Sequence, residues 1–315
     1  NIKSKLQLQL ATKWLAAIEA LPTALLTALR QEKADGKEKA GTGLQQQLHQ
    51  ENPELDNFTL SFKRIADLQE PADLSLSWQQ LKQEYETEAH KRTKFNAENF
   101  HPYQVFSRNQ PHTWKTLGLG LQEGPGAAGR FVLATGGDNM VNAVLPAGIF
   151  THLLSPRMNG TLQSPWLPTE HKYVSLQFLG DGLSMVRAVV DSCALNEYAG
   201  GGKLYLDGDG LRWKRFPTSA GSPHRSYLEL TTKTDNLRWP DRPGVPKTTD
   251  DAKLQSPHSW FGVTHVVLHD CEETPRPELS HLARLFDQPP PKSLNDVAKA
   301  YQRVCQQAIE AWRDG

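Results

Sequence analysis

The chain has 315 residues with 35 basic and 35 acidic side chains, so its formal net charge is zero. A chain of this length can bury a substantial core in one large domain or in two. A neutral chain has no overall field to draw it onto nucleic acid, and no apolar run approaches the roughly 20 residues that a spanning helix needs. We therefore expect no nucleic-acid partner and no membrane span in this segment.

Residues 1–100 carry a helical pattern. Apolar side chains recur every three or four residues from Leu6 to Leu21, Pro22 interrupts the run, and a second apolar stripe extends from Leu76 to Ala89 among charged residues. This pattern predicts a helical hairpin or small bundle with a solvated charged surface.

Between residues 101 and 275 the apolar period changes to two, which predicts β-strands. Turn-forming residues separate the strands at short intervals, including Gly180-Asp-Gly182 and Asp207-Gly-Asp-Gly210, which are predicted tight turns. No helical crossover lies between the strands. The pattern favours an antiparallel, jelly-roll-like β-sandwich over a parallel α/β sheet.

Residues 276–315 begin with a proline-rich spacer and end in a second helical pattern. Ser293 is the predicted N-cap, with Asp296 three residues later, and one apolar face runs from Leu294 to Trp312. We expect this helix to pack on the N-terminal helices. The predicted fold class is therefore α+β, a sandwich with a helical bundle before it and one helix after it.

Three cysteines, Cys193, Cys271 and Cys305, are too few for a disulfide scaffold or a zinc cluster, and none belongs to a CxxC or CxxCH motif. Two interpretations stay open. Cys193 and Cys271 form a disulfide if the compartment is oxidising, or all three are small buried apolar side chains.

Several runs in the strand region carry a family resemblance. They are Leu145-Pro-Ala-Gly148, Gly160-Thr-Leu-Gln-Ser-Pro165, the runs from Tyr173 to Gly182 and from Met185 to Asp191, and the strand from Ser259 to Val267. Over roughly Trp114–Asp270 the chain resembles the central segment of large secreted planctomycete proteins, which combine a c-type cytochrome domain with paired conserved domains of unknown function. The resemblance implies a segment of a longer exported protein, located outside the cell, at its surface or in the periplasm. It implies no cofactor here, because the haem motif is absent.

Tryptophans supply the candidate binding residues. Sugar rings present C–H faces that stack on aromatic planes, while polar side chains bind the hydroxyls. Trp166 and Trp239 lie in polar, proline-bearing loops, and Trp213 lies between Arg212 and Lys214 on a predicted strand. Trp114 and Trp260 lie beside strand starts, where burial is expected. The alternative for any one tryptophan is packing in or around the core.

Basic side chains are dense in the same region. Arg157, Arg187 and Arg212, with His152, would suit a uronate or sulfated polysaccharide if they converge, because arginine binds planar and tetrahedral anions with paired donors. The alternative is scattered surface charge balanced by carboxylates.

Calcium is the one metal that the sequence raises. Asp207 and Asp209, and separately Asp138 and Asn139, offer oxygen ligands in predicted turns. The rest of a calcium-loop pattern is missing, so a plain hairpin turn is favoured.

The sequence thus predicts a non-catalytic carbohydrate-binding module that binds extracellular polysaccharide and contacts other domains of its parent protein. A partner-docking domain of a surface cytochrome assembly is the first alternative. A polysaccharide-active enzyme is the second, since Glu229, Asp191 or Asp181 could supply a carboxylate pair.

Overall fold

The computed structural model describes residues 2–35, 55–57, 59–66, 74–134, 140–193, 202–236, 255–279 and 283–314. The chain divides into a helical unit, Asn1–Phe95 with Arg276–Gly315, and a β unit, Asn96–Pro275. The described residues form five α-helices, three short 3-10 helices and twelve strands. The predicted α+β class with an antiparallel β-sandwich is confirmed. None of the described helices is long and apolar enough to cross a bilayer.

The helices are α1 (Ile2–Ile18), α2 (Leu21–Asp35), α3 (Leu60–Ala66), α4 (Leu74–Asn99) and α5 (Leu294–Asp314). In the helical unit, α5 packs against α1, α2 and α3. Trp312 of α5 stacks on Trp14 of α1 with ring centroids 4.9 Å apart. The buried Tyr301 hydroxyl accepts a hydrogen bond from the backbone N–H of Phe62 at 3.3 Å. One apolar cluster joins α2, α3, α4 and α5.

Ser293 caps α5 by accepting a hydrogen bond from the backbone N–H of Asp296 at 3.2 Å, and the Asp296 carboxylate accepts one from the N–H of Lys292 at 3.1 Å. Because an N-cap side chain satisfies an orphan helix donor, we expect Ser293→Ala to lower the free energy of unfolding by about 1 kcal/mol. Thermal unfolding of the full chain measures the loss. Ser293→Asp, which restores an acceptor, is the control, and equal losses in the two variants would contradict the cap.

Two sheets form the sandwich. The first has the order β1-β12-β7-β10, with β5 also paired to β12, and the second has the order β2-β6-β11-β8-β9. All pairings are antiparallel. The strands of the first sheet are β1 (His101–Val105), β5 (Ile149–Phe150), β7 (Tyr173–Asp181), β10 (Gly208–Pro217) and β12 (Trp260–His269). Those of the second are β2 (Lys115–Leu117), β6 (Thr161–Gln163), β8 (Met185–Val190), β9 (Lys203–Tyr205) and β11 (Ser226–Thr231).

Alternation along each strand sets which side chains enter the core. Val174, Leu176 and Phe178 of β7 face inward and share one buried cluster with Leu228 and Leu230 of β11. Their neighbours in sequence therefore stand on the outer faces of the two sheets. This alternation determines on which side of each sheet a candidate functional residue lies.

A hairpin of β3 (Arg130–Leu133) and β4 (Val141–Leu145) forms a separate two-stranded sheet. Val132 and Leu145 pack with Phe150, Leu153 and Leu179 in a cluster of their own. Because Leu179 alternates with the inward Phe178, the hairpin covers one end of the outer face of the first sheet.

The two predicted tight turns differ in outcome. Gly182 lies between β7 and β8 with φ of 67°, and a Cβ there would come within 1.8 Å of the carbonyl oxygen of His258, so the turn requires glycine. The prediction for Asp207-Gly-Asp-Gly210 was too long, because β10 begins at Gly208, which pairs with Gly180 across an irregular register. The three cysteines are free thiols, and none is buried, since Cys193 is exposed and Cys271 and Cys305 are half-buried, so the structure supports neither the disulfide nor three buried apolar side chains.

Candidate functional site

The outer face of the first sheet carries a row of side chains that crosses its four main strands. In the antiparallel register, Trp213 of β10 lies opposite Gln177 of β7, Gln177 lies opposite His265 of β12, and His265 lies opposite Val105 of β1. All four are partly exposed. We call the surface formed by Trp213, Gln177, His265 and Arg215 the Trp213 face.

Hydrogen bonds fix the polar centre of the Trp213 face. The hydroxyl of Thr264 donates to Oε1 of Gln177 at 2.5 Å, and Nδ1 of His265 lies 3.1 Å from the same oxygen. Because an amide oxygen only accepts, Nδ1 of a neutral His265 carries the proton and Nε2 carries the lone pair. The row thus holds an oriented amide beside an oriented imidazole, and such groups bind hydroxyls.

The aromatic part of the face lies on β10. The rings of Trp213 and His265 have centroids 6.5 Å apart and planes inclined at 45°. Leu211, at the irregular part of β10 just before this regular stretch, is 41% exposed. An indole that is partly exposed beside fixed polar groups can stack on an apolar ring face while its neighbours hold polar substituents.

One positive charge lies beside this row. The guanidinium of Arg215 is 4.4 Å from the ring centroid of Tyr173, and it donates a hydrogen bond to the carbonyl of Glu272. Arg215 stands two residues after Trp213 and therefore on the same side of β10. These contacts hold the charge in one place, next to the surface where a ligand would lie.

A serine–histidine pair lies on the neighbouring strands β7 and β12 of the first sheet. The hydroxyl of Ser175 lies 2.8 Å from Nε2 of His269, whose Nδ1 lies 2.9 Å from the carbonyl oxygen of Cys271. The distances match those of a nucleophile and its base. However, Ser175 and His269 are both buried, and burial lowers the pKa of the imidazole. No substrate can reach the hydroxyl, so the pair is part of the fold.

The structure separates the predicted aromatic residues. Trp166 is 43% exposed, and its ring meets the edge of Tyr227 on the outer side of the second sheet, with centroids 5.4 Å apart. Trp213 belongs to the outer face of the first sheet, so the two tryptophans lie on opposite sides of the sandwich. Trp239 lies outside the described residues. Trp114 is buried, and Trp260 stacks on His152.

The predicted basic residues do not form one cluster. Arg187 is 5% exposed and donates from Nε to Oε1 of Glu229 at 2.8 Å. Arg212 pairs with Asp207 at 2.6 Å on the edge of the first sheet, with its guanidinium 5.3 Å from the ring of Phe178. Arg157 is exposed in the loop after β5. His152 is buried. Only the exposed Arg157 and the half-exposed Arg212 remain open to a soluble ligand.

The predicted carboxylates are engaged in local contacts. Glu229 pairs with Arg187, Asp191 accepts from the backbone N–H of Arg225 at 3.0 Å, and Asp181 accepts from that of Gly182 at 2.6 Å. Asp207, a calcium candidate, pairs with Arg212. The side chain of Asp209 and residues Asp138 and Asn139 lie outside the described part of the chain. Within that part, no three histidine, cysteine or acidic side chains are grouped to hold a metal.

The sequence argument did not include Gln177, His265, Arg215 and Tyr173. A signal for them exists. Tyr173, Ser175 and Gln177 alternate with inward apolar residues on β7, and Trp213 and Arg215 do the same on β10. These polar and aromatic residues occupy every second position of strands whose other side faces the core. They therefore form an outer surface that can contact a ligand.

Comparison with known proteins gives no family. No protein-family model and no curated protein matches the chain. Solved structures that match include the K1 cleaved adhesin domain of Lys-gingipain from Porphyromonas gingivalis W83, at 12% identity and a TM-score of 0.28, covering 53% of this chain and 96% of that one. They also include TmCBM61 in complex with beta-1,4-galactotriose, at 8% identity and a TM-score of 0.27, covering 53% of this chain and 100% of that one. Likeness at this level carries no argument about function.

Proposed function

We propose that the chain is a non-catalytic carbohydrate-binding module of a larger secreted or cell-surface protein, and that the Trp213 face binds an extracellular polysaccharide. The observation that carries the proposal is the cross-strand row in which an indole, a fixed amide and an imidazole lie side by side on one partly exposed sheet face. The indole stacks on a sugar ring, and the amide and imidazole bind its hydroxyls.

The preferred polysaccharide in this proposal is anionic. Arg215 provides a positive charge on the same face. A uronate or sulfate group next to the stacked sugar would pair with this charge. Calcium binding at Asp207 and Asp209 stays a prediction. The extracellular, cell-surface or periplasmic location and the contacts with other domains of a parent cytochrome protein are predictions too.

Trp213→Ala in the full chain is the decisive variant. We expect it to weaken binding at the Trp213 face about 30-fold, because truncating a central aromatic anchor typically removes about 2 kcal/mol. Affinity electrophoresis and calorimetry against hydroxyethylcellulose, polygalacturonate and dextran sulfate measure the change. Trp213→Phe keeps a stacking ring and is expected to retain most of the affinity. Leu117→Ala removes an exposed apolar side chain from the second sheet and is the matched control.

Arg215→Met separates the two parts of the proposal. It should weaken binding to polygalacturonate and dextran sulfate while leaving binding to hydroxyethylcellulose unchanged. Equal loss on all three would contradict charge selectivity. Failure of the wild-type chain to be retarded by any of the three would reject carbohydrate binding.

One observation favours docking to a protein as the second candidate function. Leu133 and Val144 are exposed on the solvent side of the β3–β4 hairpin, opposite the side that packs on Leu179, and Met140 just before β4 is also exposed. Apolar side chains grouped on a surface are typical of protein contacts. Docking to a protein becomes the favoured function if the chain binds no polysaccharide.

A further inference from the structure

The second exposed tryptophan stands on a rigid backbone. The N–H of Ser164 donates to the carbonyl of Leu228 at 2.9 Å, the hydroxyl of Ser164 accepts from the N–H of Leu228 at 2.9 Å, and the N–H of Leu167 donates to the carbonyl of Ser226 at 2.7 Å. Leu167 is buried in the sandwich core. The segment that carries Trp166 is therefore fastened to β11 on both sides of the indole, although it is not itself a strand.

The indole of Trp166 points away from the core. The next residue, Leu167, is buried in the core. The Trp166 ring contacts Tyr227, which alternates with the inward Leu228 and so stands on the outer side of the second sheet. Tyr227 buttresses one edge of the indole and leaves 43% of Trp166 exposed. We call Trp166 and Tyr227 the Trp166 platform.

Exposed polar groups form a constrained turn at the start of β11, the strand that carries Tyr227. The carboxylate of Asp191 accepts from the N–H of Arg225 at 3.0 Å and lies 2.5 Å from Nδ1 of His224, and all three side chains are exposed. Asp191 and Ser192 both adopt positive φ, which is uncommon for residues other than glycine. Strained backbone held by such contacts is enriched at binding sites. The turn adjoins Ser226, the β11 residue whose carbonyl binds Leu167, and Asp191 lies on the β8 side of β11.

The Trp166 platform and the Trp213 face cannot serve one short ligand. Packed sheets are about 10 Å apart, and the two indoles extend outward from opposite sheets. A sugar stacked on one ring has the whole thickness of the sandwich between it and the other ring.

We propose that the Trp166 platform is a second carbohydrate site, so that one chain binds two separate polysaccharide strands and bridges them. This inference rests on the proposed function, since it assumes that the ligand of the Trp213 face is a glycan. The two sites face opposite directions, and a long polysaccharide with many sites would be cross-linked by the protein. Binding through two sites would hold the protein on the polysaccharide more tightly than one site does, without any additional contact within either site.

Stoichiometry in calorimetry tests the second site. With cellotriose or trigalacturonate as the probe, whichever the full chain binds, the wild-type protein should bind two molecules. Trp166→Ala and Trp213→Ala should each bind one, and the double variant none. Trp166→Phe keeps a ring on the same anchored backbone and should retain two. Near-UV circular dichroism checks that each variant is folded.

Cross-linking is the independent readout. Mixed with long hydroxyethylcellulose or polygalacturonate, the wild-type chain should scatter light most strongly at an intermediate ratio of protein to polysaccharide, whereas Trp166→Ala should bind without scattering. Stoichiometry of one in the wild type, lost in Trp213→Ala and unchanged in Trp166→Ala, would overturn the second site and leave the proposed function standing. Absence of binding to every probe would remove both.

Discussion

We expect Arg187→Met to lower the free energy of unfolding of the sandwich by about 3 kcal/mol, because it leaves the Glu229 carboxylate, whose side chain is only 12% exposed, without its counter-ion. Arg187 and Glu229 lie directly opposite each other on β8 and β11, and Nε and Nη2 of the arginine both donate to Oε1 of the glutamate. Hydrogen exchange of the β8 and β11 amides in the full chain measures the loss. Exchange should accelerate about 100-fold or more, since each factor of ten corresponds to about 1.4 kcal/mol.

Two variants make this result specific. Arg157→Met removes an exposed arginine and should change stability by less than about 0.5 kcal/mol. The double variant Arg187→Met with Glu229→Leu replaces the whole pair by apolar side chains and should recover most of the loss. Wild-type exchange rates in Arg187→Met alone would show that the buried pair does not hold the two strands.

The double variant also decides the role of Arg187. The sequence predicted that this arginine binds ligand, whereas the structure pairs it with Glu229 on the outer side of the second sheet, away from the Trp213 face. We therefore expect the stable double variant to bind polysaccharide at the Trp213 face as tightly as the wild-type chain does. A loss of affinity at that face would show that Arg187 contributes to the proposed site.

The fold class could be predicted because it depends on local periodicity. The run from Tyr173 alternates along β7, and the apolar face from Leu294 to Trp312 coincides with α5. Period two or period 3.6 is visible in a few consecutive residues and needs no knowledge of the partner element. The extent of the turn at Asp207 was missed because it depends on the pairing of Gly208 with Gly180.

The candidate site could not be assembled in the same way, because it depends on register. Gln177 and His265 are 88 residues apart in the sequence and meet only because β7 pairs with β12. A shift of one residue would turn either side chain into the core. The sequence identified Trp166 and Trp213 as candidates, but the sheet that carries each one decides that they face opposite ways.

His152 shows how burial changes the meaning of a predicted site residue. Its ring stacks on Trp260 with centroids 4.0 Å apart, and the side chain is 4% exposed. Within the described part of the chain, no group hydrogen-bonds its Nδ1. Burial lowers the pKa of the imidazole from 6.5 to about 4, because the charged form loses its hydration without gaining a counter-ion.

This shift makes the β unit sensitive to acid. Between pH 6.5 and pH 4 the histidine of the unfolded chain takes up a proton, while the folded one stays neutral. The unfolded state then binds more protons, so stability falls as the pH falls through that window, by up to about 3 kcal/mol in total. Above pH 6.5 both states are neutral and the histidine contributes no pH dependence.

We expect His152→Phe to remove this acid sensitivity, because phenylalanine keeps a ring against Trp260 and cannot take up a proton. Scanning calorimetry of the full chain at pH 7 and pH 4 measures the effect. The difference in stability between the two pH values should be about 3 kcal/mol smaller in the variant than in the wild type. The exposed His90 on α4 provides the control, since His90→Phe should leave that difference unchanged. If His152→Phe and the wild type lose equal stability on acidification, the folded imidazole is protonated in place, and the pocket around it must hold a charge.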